Sequence, residues 1–294
     1  MRVTGLGGGH GLAVTLQAAL LFADEVSGVV TVADDGGSSG RLTRDLGIPP
    51  PGDIRNCLVA LADASPLARA YQHRFTGGAL AGHTLGNLLI AALTEMSGDF
   101  TAAVGRAGEL LAARGRVFPA TTDIVSLRAQ ANGEVVEGQV AVTQTASPIQ
   151  AVFLSPPDPV AEPCAVEAII QADQVVLGPG SLFTSLIATL MVPGIRRALS
   201  ETTARRVFVC NSRTQAGETT NLSASAHLES LLAHAGPHAV DAVVVQSPEV
   251  GDGGVVLDRS ALRFSGVEVV EADVVGHNGS HDPRLLAKVL ANLT

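Results

Sequence analysis

Leu12, Leu16, Leu20 and Leu21 recur at helical spacing and predict a helix from Gly11 to Phe22. Arg2 to Leu6, before it, reads as a short strand. Ser27 to Ala33, after it, carries the β-branched run VVTV expected of a buried parallel strand. That strand stops at Asp34-Asp35-Gly36-Gly37-Ser38-Ser39-Gly40, and a polar loop leads on to Pro49-Pro50-Pro51-Gly52-Asp53. Asp53 is expected to N-cap an apolar helix from Ile54 to Ala62. Helical patterns continue over 84–97 and 100–114.

The segment 117–154 alternates instead, and Asn132-Gly133 is a strong hairpin signal, so an antiparallel insertion or edge is expected there. From 160 the alternation of helix and strand returns. A helix over 163–172 precedes a strand from Gln174 to Leu177, which ends in Gly178-Pro179-Gly180-Ser181 and an apolar helix. Strands follow near 206–210, 240–245 and 267–272, with helices near 223–235 and 282–292. Such alternation implies an α/β fold: a mostly parallel sheet covered by helices on both faces, with the small hairpin insertion. No repeat or low-complexity linker divides residues 1–294, so a single domain is expected.

Composition narrows the function classes. An apolar fraction of 46% can fill a large core, and the 32 glycines cluster in short loops of the kind that approach ligands closely. The net charge of −9, with Lys288 the one lysine, argues against binding to nucleic acid. Cys57, Cys164 and Cys210 are far apart, form no CxxC pair and are expected to be buried apolar residues. The apolar stretch after Arg2 is broken by glycines and lacks a cleavage site, so a secretory signal is rejected. No apolar run approaches the roughly 20 residues of a membrane span. A soluble, cytoplasmic protein without membrane insertion is expected.

Several loops could carry chemistry. In Gly7-Gly8-Gly9-His10-Gly11, successive backbone N–H groups at a helix N-terminus can converge on an anion. The spacing matches neither the dinucleotide fingerprint nor the Walker loop. A bare strand-to-helix turn is the alternative, but four glycines exceed what a turn needs. Asp34 and Asp35, with Gly36, Gly37, Ser38, Ser39 and Arg41, end a buried strand and could hold a ribose, a metal or a substrate hydroxyl. Adjacent residues point to opposite sides, so one aspartate is expected to face the ligand. Arg55 and Asn56, in the turn after Asp53, could reach the same cleft. His83 and Asn87 share a helical face, though His83 could simply cap its helix. Gly178, Gly180 and Ser181 form a second glycine junction. Two such junctions can flank the crevice where strand order reverses. The polar segment Asn211 to Asn221, with Gln215, Glu218 and Thr219, could read a base or sugar, or be plain surface. No G-x-S-x-G elbow or paired cysteine marks a nucleophile.

The motifs GGGHGL, VADDGGSSGRL, PPGDIRNCLVALA, GHTLGNLLIAAL, VVLGPGSLFTSLI and TQAGETTN stand in the order of the YvcK-like gluconeogenesis factors, a family related to 2-phospho-L-lactate transferase. The chain resembles that family over essentially its whole length. The resemblance implies a Rossmann-like fold, a cytoplasmic protein, binding of UDP-sugars such as UDP-N-acetylglucosamine, and a role in cell shape and wall synthesis on gluconeogenic carbon sources. Compatible partners are a second copy of the chain and cell-wall enzymes. No cofactor is established for the family. In the related transferases an aspartate in the region of Asp53 acts in catalysis and a divalent metal is bound, which makes Asp53 the candidate catalytic residue and Asp34 and Asp53 candidate ligands for magnesium. Two positions depart from the family pattern. Ala216 stands where TQPGET has proline, and Ser280-His281-Asp282-Pro283 lacks the basic residue that many relatives carry before His-Asp. A ligand-binding regulator and a metal-dependent transferase both remain open at this point.

Overall fold

The structure is a computed structural model describing residues 1–145, 147–264, 266–277 and 279–293. The first half runs β1 (Arg2–Gly7), α1 (Gly9–Ala19), β2 (Glu25–Val30), α2 (Gly37–Leu46), α3 (Gly52–Ala60), α4 (Pro66–Gln72), α5 (Leu85–Ser97), α6 (Phe100–Leu110) and β3 (Arg116–Pro119). An insertion follows: β4 (Ser126–Ala131), β5 (Glu134–Glu137), α7 (Gln139–Thr143) and β6 (Ile149–Ser155). Next come α8 (Pro163–Ile170), β7 (Gln174–Leu177) and a π-helical turn, Leu182–Ile187, running into α9 (Ala188–Leu190). The chain ends with α10 (Pro193–Glu201), β8 (Arg205–Val209), α11 (Ala224–Ala235), β9 (Ala242–Gln246), α12 (Arg259–Phe264), β10 (Glu268–Ala272) and α13 (Pro283–Leu290).

Seven strands form one sheet in the order β10-β9-β8-β7-β1-β2-β3, and every pairing in it is parallel. From β1 the chain first builds outward through β2 and β3. It then returns to the other side of β1 and builds through β7 to β10. Strand order therefore reverses between β1 and β7, and both glycine junctions follow these two strands. In open α/β sheets that crevice is where ligands bind.

The strand interiors are apolar on both faces because helices cover both. Val175 and Leu177 enter one core with α8, α10 and α11, while Val176 between them enters the other with α1, α3 and α13. The two-residue period of a strand thus sorts a continuous apolar run into two cores. Gly5 lets α1 lie close on the sheet, since a Cβ there would sit 2.8 Å from Leu12 Cδ1. The insertion is a separate three-stranded antiparallel sheet, β5-β4-β6, turning at Asn132-Gly133 as expected.

Several expectations change. Residues 117–119 belong to β3 in the main sheet, so the antiparallel part starts at Ser126. The polar stretch after Asp35 is not all loop, because Gly37–Leu46 is helical. Helices α4 and α12, of 7 and 6 residues, are too short to show a helical repeat. Asp53 does not cap α3; that helix starts at Gly52 with Pro51 before it and no side-chain cap. His83 does not cap α5 either, as Thr84 holds the N-cap position. Cys57 and Cys210 are buried, but Cys164 is exposed in the first turn of α8. No single helix among the described residues is long and apolar enough to cross a membrane.

Candidate functional site

At the C-terminal ends of β1, β7 and β8 lies a groove of about 260 Å³. Its walls are His10, Gly11 and Val14 after β1, Pro179 and Gly180 after β7, Asn211 to Gln215 after β8, and Gly279 to His281. The two glycine junctions touch: a Cβ on Gly11 would lie 2.1 Å from the Pro179 carbonyl oxygen. Asn211 fixes the second junction, accepting the Gly180 N–H at 3.0 Å and donating to its carbonyl at 2.8 Å. Gln215 donates to Ser181 Oγ at 3.1 Å, and its Oε1 is buried without a partner. None of the lining residues is acidic, so the groove suits an anion.

Helix α1 starts at Gly9, whose N–H is taken by Asp53, and the N–H groups of His10 and Gly11 that follow have no earlier helical turn to bond. Gly9 has φ +60, and a Cβ there would meet nothing within 4 Å, so this corner faces open space. His281, at the far wall, is held down to about 4 by burial, partly offset by the Cys210 carbonyl. It is therefore neutral at physiological pH, and its Nε2 is buried without a partner.

On the β2 side of the same glycine loop lies a second cluster. A Cβ on Gly8 would stand 2.6 Å from Asp53 Oδ2, and the Asp53 carboxylate accepts the Gly9 N–H. Burial, then the charge of neighbouring Asp34, pushes the Asp53 carboxyl up to about 6, while Gly9 and Arg55 pull it down. Asp34 also accepts the Gly36 N–H at 2.9 Å. Ser39 Oγ accepts the Gly52 N–H at 3.1 Å, which ties α2 to α3. Arg55 is buried and donates to Thr84, Asn87 and Asn56. Burial and the nearby Arg74 charge lower its pKa. Ser38 Oγ lies 3.0 Å from His83 Nδ1 and accepts from Asn87 Nδ2 at 3.1 Å. Burial, then Arg41, lowers the His83 pKa. Among the described residues no group of three His, Cys, Asp or Glu is placed to hold a metal; Asp34 and Asp53 stand as a pair.

The sequence candidates thus divide. His10, Gly11, Gly180, Asn211 and Gln215 meet at the groove, and Ser181 accepts a hydrogen bond from Gln215 behind them. Gly8, Asp34, Gly36, Ser38, Ser39, Arg41, Asp53, Arg55, His83 and Asn87 meet on the β2 side, and Gly9 stands between the two, opening α1 while its N–H bonds Asp53. The rest serve structure. Asp35 turns away and accepts the Val140 N–H of the insertion at 3.0 Å, as the alternation argument required of one aspartate. Glu218 is spent inside the protein: its Oε1 takes the N–H groups of Phe183 and Thr184 at 2.8 and 2.7 Å. Thr219 accepts the Gln215 N–H at 2.9 Å and shapes that loop. Asn56 accepts from Arg55 and Gln72. Gly7 ends β1 and Gly178 follows β7, both with positive φ, and Gly37 opens α2. Sequence reasoning missed Arg213 and Thr214, which lay unflagged inside the Asn211–Asn221 segment, and Val14, which reads as an ordinary helix residue.

The family model for 2-phospho-L-lactate transferase CofD matches residues 3–275. A gluconeogenesis factor of Halalkalibacterium halodurans is 41% identical over 95% of this chain and 93% of its own. One from Bacillus subtilis is 39% identical over 99% and 98%. A crystal structure of a UPF0052-family protein from Bacillus halodurans superposes with a TM-score of 0.95, at 39% identity, over 98% of both chains. With the reversal between β1 and β7, the two glycine junctions and matches spanning nearly its whole length, the chain belongs to the CofD family and, within it, to the gluconeogenesis factors.

Proposed function

We propose that the protein binds a UDP-sugar, UDP-N-acetylglucosamine in the first instance, and acts in the cytoplasm as a regulator rather than as a catalyst. Its role would be to support cell shape and wall synthesis on gluconeogenic carbon sources, through a second copy of the chain or enzymes of the wall. The observation that carries this reading is the groove at the strand-order reversal, where both glycine junctions converge and no acidic side chain intrudes. A diphosphate fits the unspent N–H groups at the start of α1. Arg213, Thr214 and Gln215 offer donors and acceptors to the nucleoside end. Isothermal titration with UDP-N-acetylglucosamine tests it: saturable heat is expected, and folded protein giving none at millimolar ligand would sink the reading.

A metal-dependent transferase is favoured by one observation, the like-charged pair Asp34 and Asp53 with the raised Asp53 carboxyl. Magnesium commonly uses one or two carboxylates and completes its shell with substrate phosphates and water, so this pair fits it. When bound, the metal would neutralise phosphate charge. Asp34 and Asp53 would hold it, Gly9 would orient the Asp53 carboxylate, and buried Arg55 would balance the remaining charge. Incubation with nucleotide sugars, magnesium and a panel of acceptors, followed by mass spectrometry, separates the readings: a new product establishes turnover, and unchanged ligand supports the regulator.

A further inference from the structure

We propose that Arg41, Arg74 and His83 form a second anion site on the β2 side of the glycine loop, which takes the phosphate or carboxylate of a small acid. The site is built by a hairpin between α4 and α5. Phe75 pairs there with Gly82 and His83, its N–H donating to the His83 carbonyl at 2.9 Å and its carbonyl accepting the Gly82 N–H at 2.8 Å. Arg41, from α2, reaches across and donates to the Ala81 carbonyl at 2.8 Å. Arg74 folds back onto the Gly82 carbonyl at 2.5 Å. Each guanidinium spends one of its five N–H donors on a backbone oxygen, and neither forms an ion pair with a carboxylate among the described residues.

Both arginines act on His83, and Arg74 also acts on the buried Arg55, so three guanidinium groups without a carboxylate ion pair among the described residues and an imidazole converge. Asp45 is the carboxylate that opposes them at His83, and Asp34 and Asp53 do so at Arg55. Like charges gathered in one place repel, and in a chain of net charge −9 the surface offers many carboxylates that could have paired with them. Arg55 Nε is moreover buried with no partner. Helix α2, ten residues long, starts beside Ser38 without a side-chain cap and adds its own partial positive charge. A planar guanidinium fork binds phosphate or carboxylate by two parallel hydrogen bonds, which gives the site its chemical class. The proposal does not depend on which nucleotide fills the neighbouring groove.

The acid could be a separate molecule or the distal end of a nucleotide-linked ligand, and two titrations of the full chain distinguish them. In the first, inorganic phosphate is titrated calorimetrically into protein saturated with UDP; saturable binding in the millimolar range identifies a separate acid. In the second, UDP-glucuronic acid is compared with UDP-glucose; tighter binding of the former identifies a distal carboxylate. Whichever effect is found should weaken about 10-fold in Arg74→Gln, a substitution on the exposed hairpin, and further in the Arg41→Gln/Arg74→Gln pair. Binding of UDP itself should persist in Arg74→Gln, and a thermal melt checks that each variant is folded. The proposal is overturned if neither effect occurs in the wild type, or if the effect is the same in both variants. A wild type that fails to bind UDP overturns the nucleotide reading instead, and phosphate titrated alone still decides this one.

Discussion

The two sides of the glycine loop use opposite means to prepare for a ligand. On the β7 side the groove is made of backbone and neutral polar groups, with Asn211 pinning Gly180 and no acid in its walls. On the β2 side charges are packed together, with Asp53 raised to about 6 by burial and Asp34, and Arg55 buried between acids and Arg74. Under the proposed function the first side would hold a diphosphate without changing itself. The second stores unfavourable electrostatics that a bound ion or acid would relieve, so ligand binding there should be coupled to stability.

Glycine substitutions break the first side most severely. Gly11→Val drives a side chain into the Pro179 carbonyl, 2.1 Å from the position of its Cβ, and backbone cannot rotate away as a side chain can. A loss of about 3 kcal/mol or more is expected in urea unfolding. Gly9→Val meets no atom of the protein but takes on the strain of φ +60, roughly 1–2 kcal/mol. It should remain folded and lose about 100-fold or more in UDP-N-acetylglucosamine affinity, because its side chain would fill the corner that the proposed function gives to a phosphate. Equal affinity in Gly9→Val would remove the loop from the site.

Glu218 sharpens the boundary between binding and support. Glu218→Ala orphans two buried N–H groups and should cost about 2–3 kcal/mol. Glu218→Gln keeps an acceptor oxygen and avoids burying a charge, so its melting temperature should stay near that of the wild type. Ligand affinity that falls in the folded Glu218→Gln would return this residue to the site.

The β2 side should be most visible through pH. The folded-state pKa of Asp53, about 6, lies above the ordinary aspartate value of 3.8, so the folded protein holds the proton more tightly. Stability from this group is present below about pH 4 and is lost as pH rises through about 6. Asp53→Asn should therefore stabilise the protein at pH 7.5 by up to about 3 kcal/mol, with the gain shrinking as the pH approaches 4. Chemical unfolding at several pH values measures it. A constant difference across that range would mean that the Asp34 charge and the burial of Asp53 do not act as described.

The sheet was legible because its strands are β-branched runs and its helices repeat at helical spacing. Gln174–Leu177 is predicted to the residue. The reversal between β1 and β7 was legible only as a pairing of glycine junctions. Helix α2 was not legible, because Gly37-Ser38-Ser39-Gly40 has poor helix propensity. Tertiary structure overrides it: a Cβ on Gly40 would lie 1.9 Å from the Asp35 carbonyl oxygen, so only glycine fits that first turn. Asp53 was misread as a cap because capping is a local rule, whereas its partner, Gly9, comes from another strand junction. Arg74 belongs to no motif, and only the hairpin brings it to His83 and Arg55.

The smallest effect separates the two adjacent aspartates. Asp35 bonds the Val140 N–H, and a Cβ on Gly138 would stand 2.4 Å from its Oδ2, so Asp35 ties the strand end to the insertion. Asp35→Ala removes one hydrogen bond to a charged acceptor near the surface and should cost about 1 kcal/mol. Hydrogen exchange should quicken at Val140 and along α7 while Asp34 and the groove are undisturbed. Asp34→Ala should do the reverse, leaving the insertion protected and lowering the Asp53 pKa toward the ordinary carboxylate range. If Asp35→Ala instead weakens nucleotide binding as much as Asp34→Ala, the insertion is part of the ligand site, and the division between the two sides of the loop has to be redrawn to include it.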